Sequence, residues 1–323
     1  MGSGESRIAI LMAVYEPRMD WLREQLLSLN AQTYPNLMLY VRDDCSPTVP
    51  FEEIESCVRD CIRAFPFEIR RNEKNLGSNL TFERLTREAE GEYFAYCDQD
   101  DVWLPEKLEV LEKSITGTGA LLVCSDMYII DGNGKRTADS ITDVRRHHVF
   151  KSGGDLAEGL LTHNFVTGCT MLARADEARA AVPFCPHMVH DHYIALWCAM
   201  RGRIYSAPER LISYRIHGGN QTGIMSGVVD KRSYAARRIE GSVQKFEWLR
   251  RNLPCDAALK ESVEVRLRWS QARGENWRRR GAAKGLWRLR GCGRSVTFYE
   301  MLAARLPEWL FLKTIDLVRK NIL

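Results

Sequence analysis

The 323-residue chain is 45% hydrophobic and 27% charged with a net charge of +4, ordinary values that exclude a disordered or low-complexity protein. No uncharged apolar run reaches the length of a bilayer span, and ten scattered cysteines with no Cys-x-x-Cys pair and no leader before them favour a reducing, cytoplasmic compartment. The charge is unevenly shared: residues 1–223 carry a net −8 and residues 224–323 a net +12, so an acidic part precedes a basic one.

The opening MGSG is set aside as a frayed end, and RIAILMAV (7–14) reads as a buried strand. Glu16-Pro17 then opens a helix, its proline suited to the first turn and Trp21, Leu22, Leu26 and Leu29 at helical spacing. TYPN breaks the chain; LMLYVRDD (37–44) predicts a second strand, 52–64 a second helix and 67–71 a third strand. After NEKNLGSN a helix runs to about Glu90, the strand EYFAYC ends in an acidic turn, and Pro105 leads into another helix. This alternation predicts parallel βαβ units in a sheet covered on both faces, with ligands gathering at the carboxyl ends of the strands. Tyr15, Glu16, Asp43, Asp44 and Asp98 to Asp101 all fall at such ends. Further on, ALLVCSDMYII (120–130), GCTMLA (168–173) and RLISYRIH (210–217) read as mixed strands and MVHDHYIALWCAM (188–200) as a helix; from Asp230 the pattern is helical and basic.

Six ordered motifs, AVYEP (13–17), VRDDCSP (41–47), NLGSNLTFERL (75–85), CDQDDVWLPEKL (97–108), HDHYIALW (190–197) and YRIHGGNQT (214–222), carry a resemblance over roughly residues 7–222. The chain resembles family 2 glycosyltransferases of the nucleotide-sugar-dependent GT-A type, and among them the rhamnosyltransferase-like bacterial members that build surface polysaccharide such as O-antigen. The resemblance implies an α/β GT-A (Rossmann-like) fold with a mixed, mainly parallel sheet. It also implies a catalytic domain over 1–223, with a nucleotide-sugar half at about 7–115 and an acceptor half at about 116–223, followed by a basic helical region at 224–323.

Chemistry bears on the same residues. Carboxylates as close as Asp98, Asp100 and Asp101 raise one another's pKa and are costly unless a cation or donors offset them. Hard oxygen ligands suit Mg²⁺ or Mn²⁺, which bridges the phosphates of a departing nucleoside diphosphate. By resemblance Asp98 faces the donor and Asp100 holds the metal, with His217 as a further ligand; Asp101 also suits a helix cap before Pro105. Asp43 and Asp44 are implied to hold the nucleoside, although Asp-Asp-Cys-Ser-Pro also makes a turn that caps itself. Tyr15 is placed either on the base or in the core. Lys74, Asn75, Gly77 and Asn79 form a polar loop that meets the donor or caps a helix, and Arg215 pairs with an acid or the diphosphate. Asp191 is implied to be the general base of an inverting transfer, or else an N-cap. His187, His190 and His192 with Cys185 offer zinc as a rival, but without ligand spacing. Asn220 and Gln221 are expected in a closing loop, and His163 and Asn164 in the acceptor pocket.

The expected activity is transfer of rhamnose from dTDP-rhamnose, or of a hexose from a UDP-sugar, onto a glycan or lipid-linked oligosaccharide acceptor. A nucleotidyltransferase is the first alternative, but AVYEPRMD lacks a glycine-rich phosphate loop. A non-catalytic docking protein is the second. In the basic region, arginines interleave with Trp269, Trp277 and Trp287, and LPEWLFLKTIDLV (306–318) is apolar. Peripheral docking on the inner, anionic face of the cell membrane fits these better than nucleic acid, and a helical appendage packed on the catalytic part fits them equally.

Overall fold

The computed structural model describes residues 5–145, 147–217, 225, 227–279 and 282–319. The chain forms two compact units, the first comprising residues 1–184 and 189–218 and the second 185–188 and 219–323.

In the first unit β1 (Ile8–Val14), α1 (Met19–Asn30), β2 (Leu37–Asp43), α2 (Phe51–Cys61), β3 (Phe67–Arg71), α3 (Ser78–Glu88) and β4 (Tyr93–Cys97) alternate strictly. There follow β5 (Val102–Trp103), α4 (Lys107–Thr118), β6 (Leu122–Ile130), β7 (Arg136–Ala138), the short helices α5 (Ile141–Val144) and α6 (Ala157–Leu160), then β8 (Met171–Arg174), α7 (Ala175–Ala180), α8 (His190–Arg201) and β9 (Ile204–Arg215). One sheet runs β3-β2-β1-β4-β8-β6-β9-β5, with β7 beside β6. Its first four strands are parallel, and β8 joins antiparallel to β4 and β6.

Alternation across the pleat explains why helices cover both faces. Ile8, Ile10, Met12 and Val14 pack with Leu22 and Leu26 of α1, Ile54 and Val58 of α2 and Leu108 and Leu111 of α4. The opposite-facing Ala9, Leu11, Phe94 and Tyr96 are buried too, with Phe82 of α3 edge-on to Tyr96. Strands buried on both faces read as continuous apolar runs, which is why RIAILMAV was legible. Parallel register sets Val14 opposite Asp43 and Met12 opposite Cys97, so the segments after β1, β2 and β4 leave the sheet at one edge.

Three expectations change. Asp101 does not cap the helix behind Pro105: α4 begins at Lys107 with Glu106 at its N-cap, and Asp101 instead accepts from the Arg215 backbone N–H at 2.9 Å. The segment 168–173 is not strand throughout, since residues 168–170 form a 3₁₀ turn before β8. In the second unit two of the three expected interfacial tryptophans face inward: the Trp269 indole N–H donates to Thr297 at 2.9 Å, and Trp277 stacks on Tyr234.

The second unit consists of α9 (Lys231–Tyr234), a π-helical turn at Ala235–Glu240, α10 (Gly241–Asn252), α11 (Ala257–Arg278), α12 (Ala283–Arg288), α13 (Arg294–Ala303) and α14 (Glu308–Arg319). Val228, Tyr234, Ile239, Ala303, Phe311 and Ile315 form its core. Alongside lies a buried polar network in which Arg273 and the Tyr234 hydroxyl both donate to the Glu300 carboxylate. Phe311 and Ile315 account for the apolar run at 306–318 as an amphipathic helix turned inward. No helix among the described residues is long and apolar enough to cross a membrane.

Candidate active site

The parallel strand ends carry most of the implied donor residues. Tyr15 follows β1 and is 43% exposed. Its backbone is clamped by Gln99: the N–H donates to Oε1 at 2.8 Å and the carbonyl accepts from Nε2 at 3.0 Å. Gln99, which the sequence did not single out, thereby joins the end of β1 to the acidic turn after β4. Glu16 has a left-handed backbone and braces the next loop, its carboxylate accepting from the Thr48 and Val49 N–H groups.

Asp43 and Asp44 both turn inward. Asp43 accepts from the Ser46 hydroxyl at 2.6 Å and faces Arg71 at 3.1 Å. Asp44 accepts at 2.8 Å from the Leu76 N–H, the Gly77 N–H and the Asn72 amide. The self-capping turn is therefore present for Asp43, while Asp44 organises the polar loop that opens α3. There Asn75 also accepts from the Gly77 N–H. Gly77 has φ +79° and ψ 158°, a conformation essentially reserved for glycine. Both aspartates thereby support the loops at 45–48 and 75–77. Lys74 is exposed beside that loop.

The acidic turn divides its labour. Asp98 is half-buried, its carboxyl pushed up to about 7 by burial and then by the charges of Asp100 and Asp191. Asp101 is fully buried and raised well above the carboxylate range by burial and its two acidic neighbours. Asp100 meets His217 directly, Oδ2 to Nε2 at 2.7 Å, so residues 117 positions apart share one spot. His217 also rests against the Trp21 ring, with centroids 4.8 Å apart. Gly218, Gly219, Asn220 and Gln221 lie outside the described residues.

Arg215 is 1% exposed. It donates to the Asp100 carbonyl at 2.7 Å and the Asp131 carbonyl at 3.2 Å and pairs with Glu24 at 2.5 Å. Of the two expected partners the acid is present, with the guanidinium enclosed between the acidic turn and α1.

Below the turn lies a residue the sequence reading missed. Lys107 is fully buried, 3.0 Å from the Trp103 ring centroid, and donates to the Cys169 carbonyl. Burial lowers its pKa to about 7, against the opposing pull of groups that include Asp101 and Asp98. One signal existed: Lys107 shares the inward stripe of α4 with Leu108, Leu111 and Ile115, where a lysine needs a reason.

Asp191 is the second residue of α8, not its cap, which is Val189. One carboxylate oxygen accepts from the Gly168 N–H at 2.9 Å, the other from the Asn164 amide at 3.1 Å. Asn164 in turn closes its own loop by donating to the Val166 carbonyl and accepting from the Val166 N–H. Burial pushes Asp191 up to about 6 despite those donors. His163 engages the Thr162 hydroxyl.

The rival zinc cluster is not assembled. The His190 ring lies against Phe82 and Tyr96, centroids 4.1 and 5.3 Å away, and burial depresses its pKa to about 3. His192 Nε2 is taken by the Leu160 carbonyl at 2.6 Å, and His187 is exposed. Among the described residues the ligand-rich trio is Asp98, Asp101 and Cys169, with one donor atom each within 4.8 Å of the others. Burial raises both Asp101 and the Cys169 thiol, which suits proton sharing. A divalent cation fits better at Asp100 and His217, which are partly open at 18% and 22% side-chain exposure. The unbalanced carboxylates around that pair supply the negative field a hard cation requires.

Comparison with known proteins bears on the family and the fold. The sequence model of "Glycosyl transferase family 2" matches residues 9–178. An uncharacterized glycosyltransferase of Haemophilus influenzae is 27% identical over 227 residues, 67% of each chain. TarS of S. aureus superposes with a TM-score of 0.60 at 14% identity, covering 97% of this chain but 54% of that one; residues 1–349 of TarS are also known in complex with UDP-GlcNAc. The chain thus spans about half the length of TarS. The mannosyltransferase PcManGT of Pyrobaculum calidifontis, in complex with GDP-Man and Mn²⁺, superposes at 0.56 with 14% identity, covering 99% and 84% of the two chains.

Proposed function

Since this chain belongs to glycosyl transferase family 2, we propose that it moves a sugar from a nucleoside diphosphate onto a glycan hydroxyl with inversion at the anomeric carbon. The observation that carries the reading is Asp191, a buried carboxyl raised to about 6, whose charge is felt by Asp98 at the end of β4. A base with a pKa near the working pH combines availability with proton affinity. In the proposed step the acceptor oxygen attacks the anomeric carbon while its proton passes to Asp191. The bond from that carbon to the β-phosphate oxygen breaks, and its electron pair leaves with the nucleoside diphosphate.

Each remaining group has a part. Tyr15, fixed by Gln99, offers a face to the base. Asp43 or Asp44 holds the nucleoside within loops that Glu16, Asn75 and Gly77 brace, and Asp98 faces the donor sugar. Asp100 and His217 are the residues that would hold Mg²⁺ or Mn²⁺, which when bound supplies charge neutralisation for the leaving diphosphate. Arg215 keeps the acidic turn in place. UDP-GlcNAc and GDP-Man accompany the two superposing proteins, which supports a nucleotide-sugar donor. Within that class the motif resemblance favours dTDP-rhamnose and then a UDP-hexose, in the assembly of bacterial surface polysaccharide.

The test is nucleoside diphosphate release from a panel of donors with and without Mn²⁺, in wild type and Asp100→Ala. Metal-dependent release that the variant lacks is expected. Pyrophosphate release from a nucleoside triphosphate and a sugar phosphate would replace this reading with a nucleotidyltransferase, and a retained anomeric configuration would remove Asp191 from its role.

A further inference from the structure

The second unit buries one set of aromatic residues and leaves another outside. Tyr234, Trp277 and Phe311 serve its core, whereas Trp287 is 38%, Val296 49%, Phe298 56% and Leu302 50% exposed. These four lie on α12 and α13, which pack on one another and share the 3₁₀ turn at Arg290–Cys292 between them. On α13, Thr297, Glu300 and Ala303 face inward. Phe298 and Leu302, four residues apart, therefore form a stripe on the outward side, with Arg294 one turn before them.

The charge along this stretch of chain is of one sign. Residues 276–299 contain seven Lys and Arg and no Asp or Glu. Arg290 lies over the Trp287 ring, its guanidinium carbon 5.1 Å from the centroid, and Lys284, Arg288 and Arg294 are exposed. An exposed tryptophan under an arginine on one helix, and a phenylalanine and a leucine on the helix packed against it, supply the groups that seat at the acyl boundary while cations meet phosphate headgroups.

We propose that the α12–α13 face docks on the surface of an anionic lipid bilayer, lying on it without crossing. Charge complementarity selects this occupant. A second copy of the chain would bring two predominantly cationic faces together, and like charges in contact oppose pairing. Nucleic acid would satisfy the arginines but leave Phe298 and Leu302 against phosphate and sugar, with nothing gained from their burial. The inference does not depend on the transferase reading, because no residue of the first unit enters it.

The test is co-sedimentation of the full chain with vesicles of phosphatidylcholine alone or with a third phosphatidylglycerol, at low and high salt. Binding at least tenfold stronger to the anionic vesicles is expected, weakening as salt rises. Two variants divide the surface. Phe298→Ser with Leu302→Ser, both exposed, is expected to weaken anionic-vesicle binding at least fivefold with an unchanged melting temperature. Arg290→Glu with Arg294→Glu is expected to abolish the preference for anionic lipid. No binding to either vesicle, or equal binding to both, overturns the proposal. So does binding unaffected by the serine pair but competed away by duplex DNA, which would mark a simple polycation. A wild-type dimer that the serine pair converts to monomer, with no vesicle binding, would assign the face to self-association instead.

Discussion

Replacing Asp191 with asparagine isolates the one group on which the proposed reaction turns. Its pKa of about 6, against an ordinary 3.8, corresponds to about 3 kcal/mol by which burial disfavours the charged form. The folded pKa lies above the unfolded one, so this carboxyl contributes most to stability at low pH, and the contribution is lost as pH rises through about 6. Activity has the opposite sign, since the base works deprotonated. About nine-tenths of the molecules carry the charge at pH 7 and about one-tenth at pH 5, so the rate should fall roughly tenfold between them. Asp191→Asn should lower kcat about 10²- to 10⁴-fold, the usual span for loss of a general base, while leaving donor binding near wild type. The assay is single-turnover transfer from pH 5 to 8, with donor affinity measured separately by thermal shift. Asn164→Ala removes a donor that stabilises the charged form, so it should move the wild-type inflection to higher pH. A profile without an inflection near 6, or an Asp191→Asn enzyme retaining more than a tenth of its rate, would refute the assignment.

Asp100→Ala and His217→Ala should each abolish the rise in melting temperature that Mn²⁺ gives in the presence of donor, since one ligand of a two-residue site remains. Gly77→Ala should cost about 1–3 kcal/mol in chemical denaturation, because a side chain there meets open space but not an allowed backbone; donor affinity should fall with it. Lys107→Met keeps the length of a buried side chain but removes the amine that donates to the Cys169 carbonyl under the acidic turn. Loss of transfer by at least tenfold is expected in a protein that still unfolds cooperatively.

The sheet was legible because strands buried on both faces are apolar at every position, and Pro, Gly and Asp punctuate their ends. The boundaries drifted where local chemistry opposed the periodicity: α1 starts at Met19 and not at Glu16, whose left-handed backbone turns away to hold Thr48. The pairing of Asp100 with His217 was readable only through the resemblance, since no spacing rule links residues so far apart. Which carboxylates look outward was not readable at all. Asp43, Asp44 and Asp101 share a residue type with Asp98 and Asp100, yet the first three are buried, and only the fold determines which backbone N–H groups reach them. Lys107 was hidden for the converse reason, an ordinary lysine in WLPEKL whose importance lies wholly in what surrounds it.

That contrast bears on how the acidic turn tolerates its own charge. The four buried or half-buried carboxyls Asp98, Asp100, Asp101 and Asp191 are offset by different means. Burial favours the neutral form of Asp101, which accepts from the Arg215 N–H; Asp191 is met by Gly168 and Asn164; Lys107 lies below. Asp100 has His217 at 2.7 Å, and Asp98 has the opposing pull of Lys107. Residual negative charge at a crevice edge favours a cation, and a cation favours a diphosphate. The order in which this site fills is therefore expected to be metal with donor, then acceptor. Asp98, raised to about 7 by burial and then by the charges of Asp100 and Asp191, is expected to lose its proton more readily once a cation sits beside it.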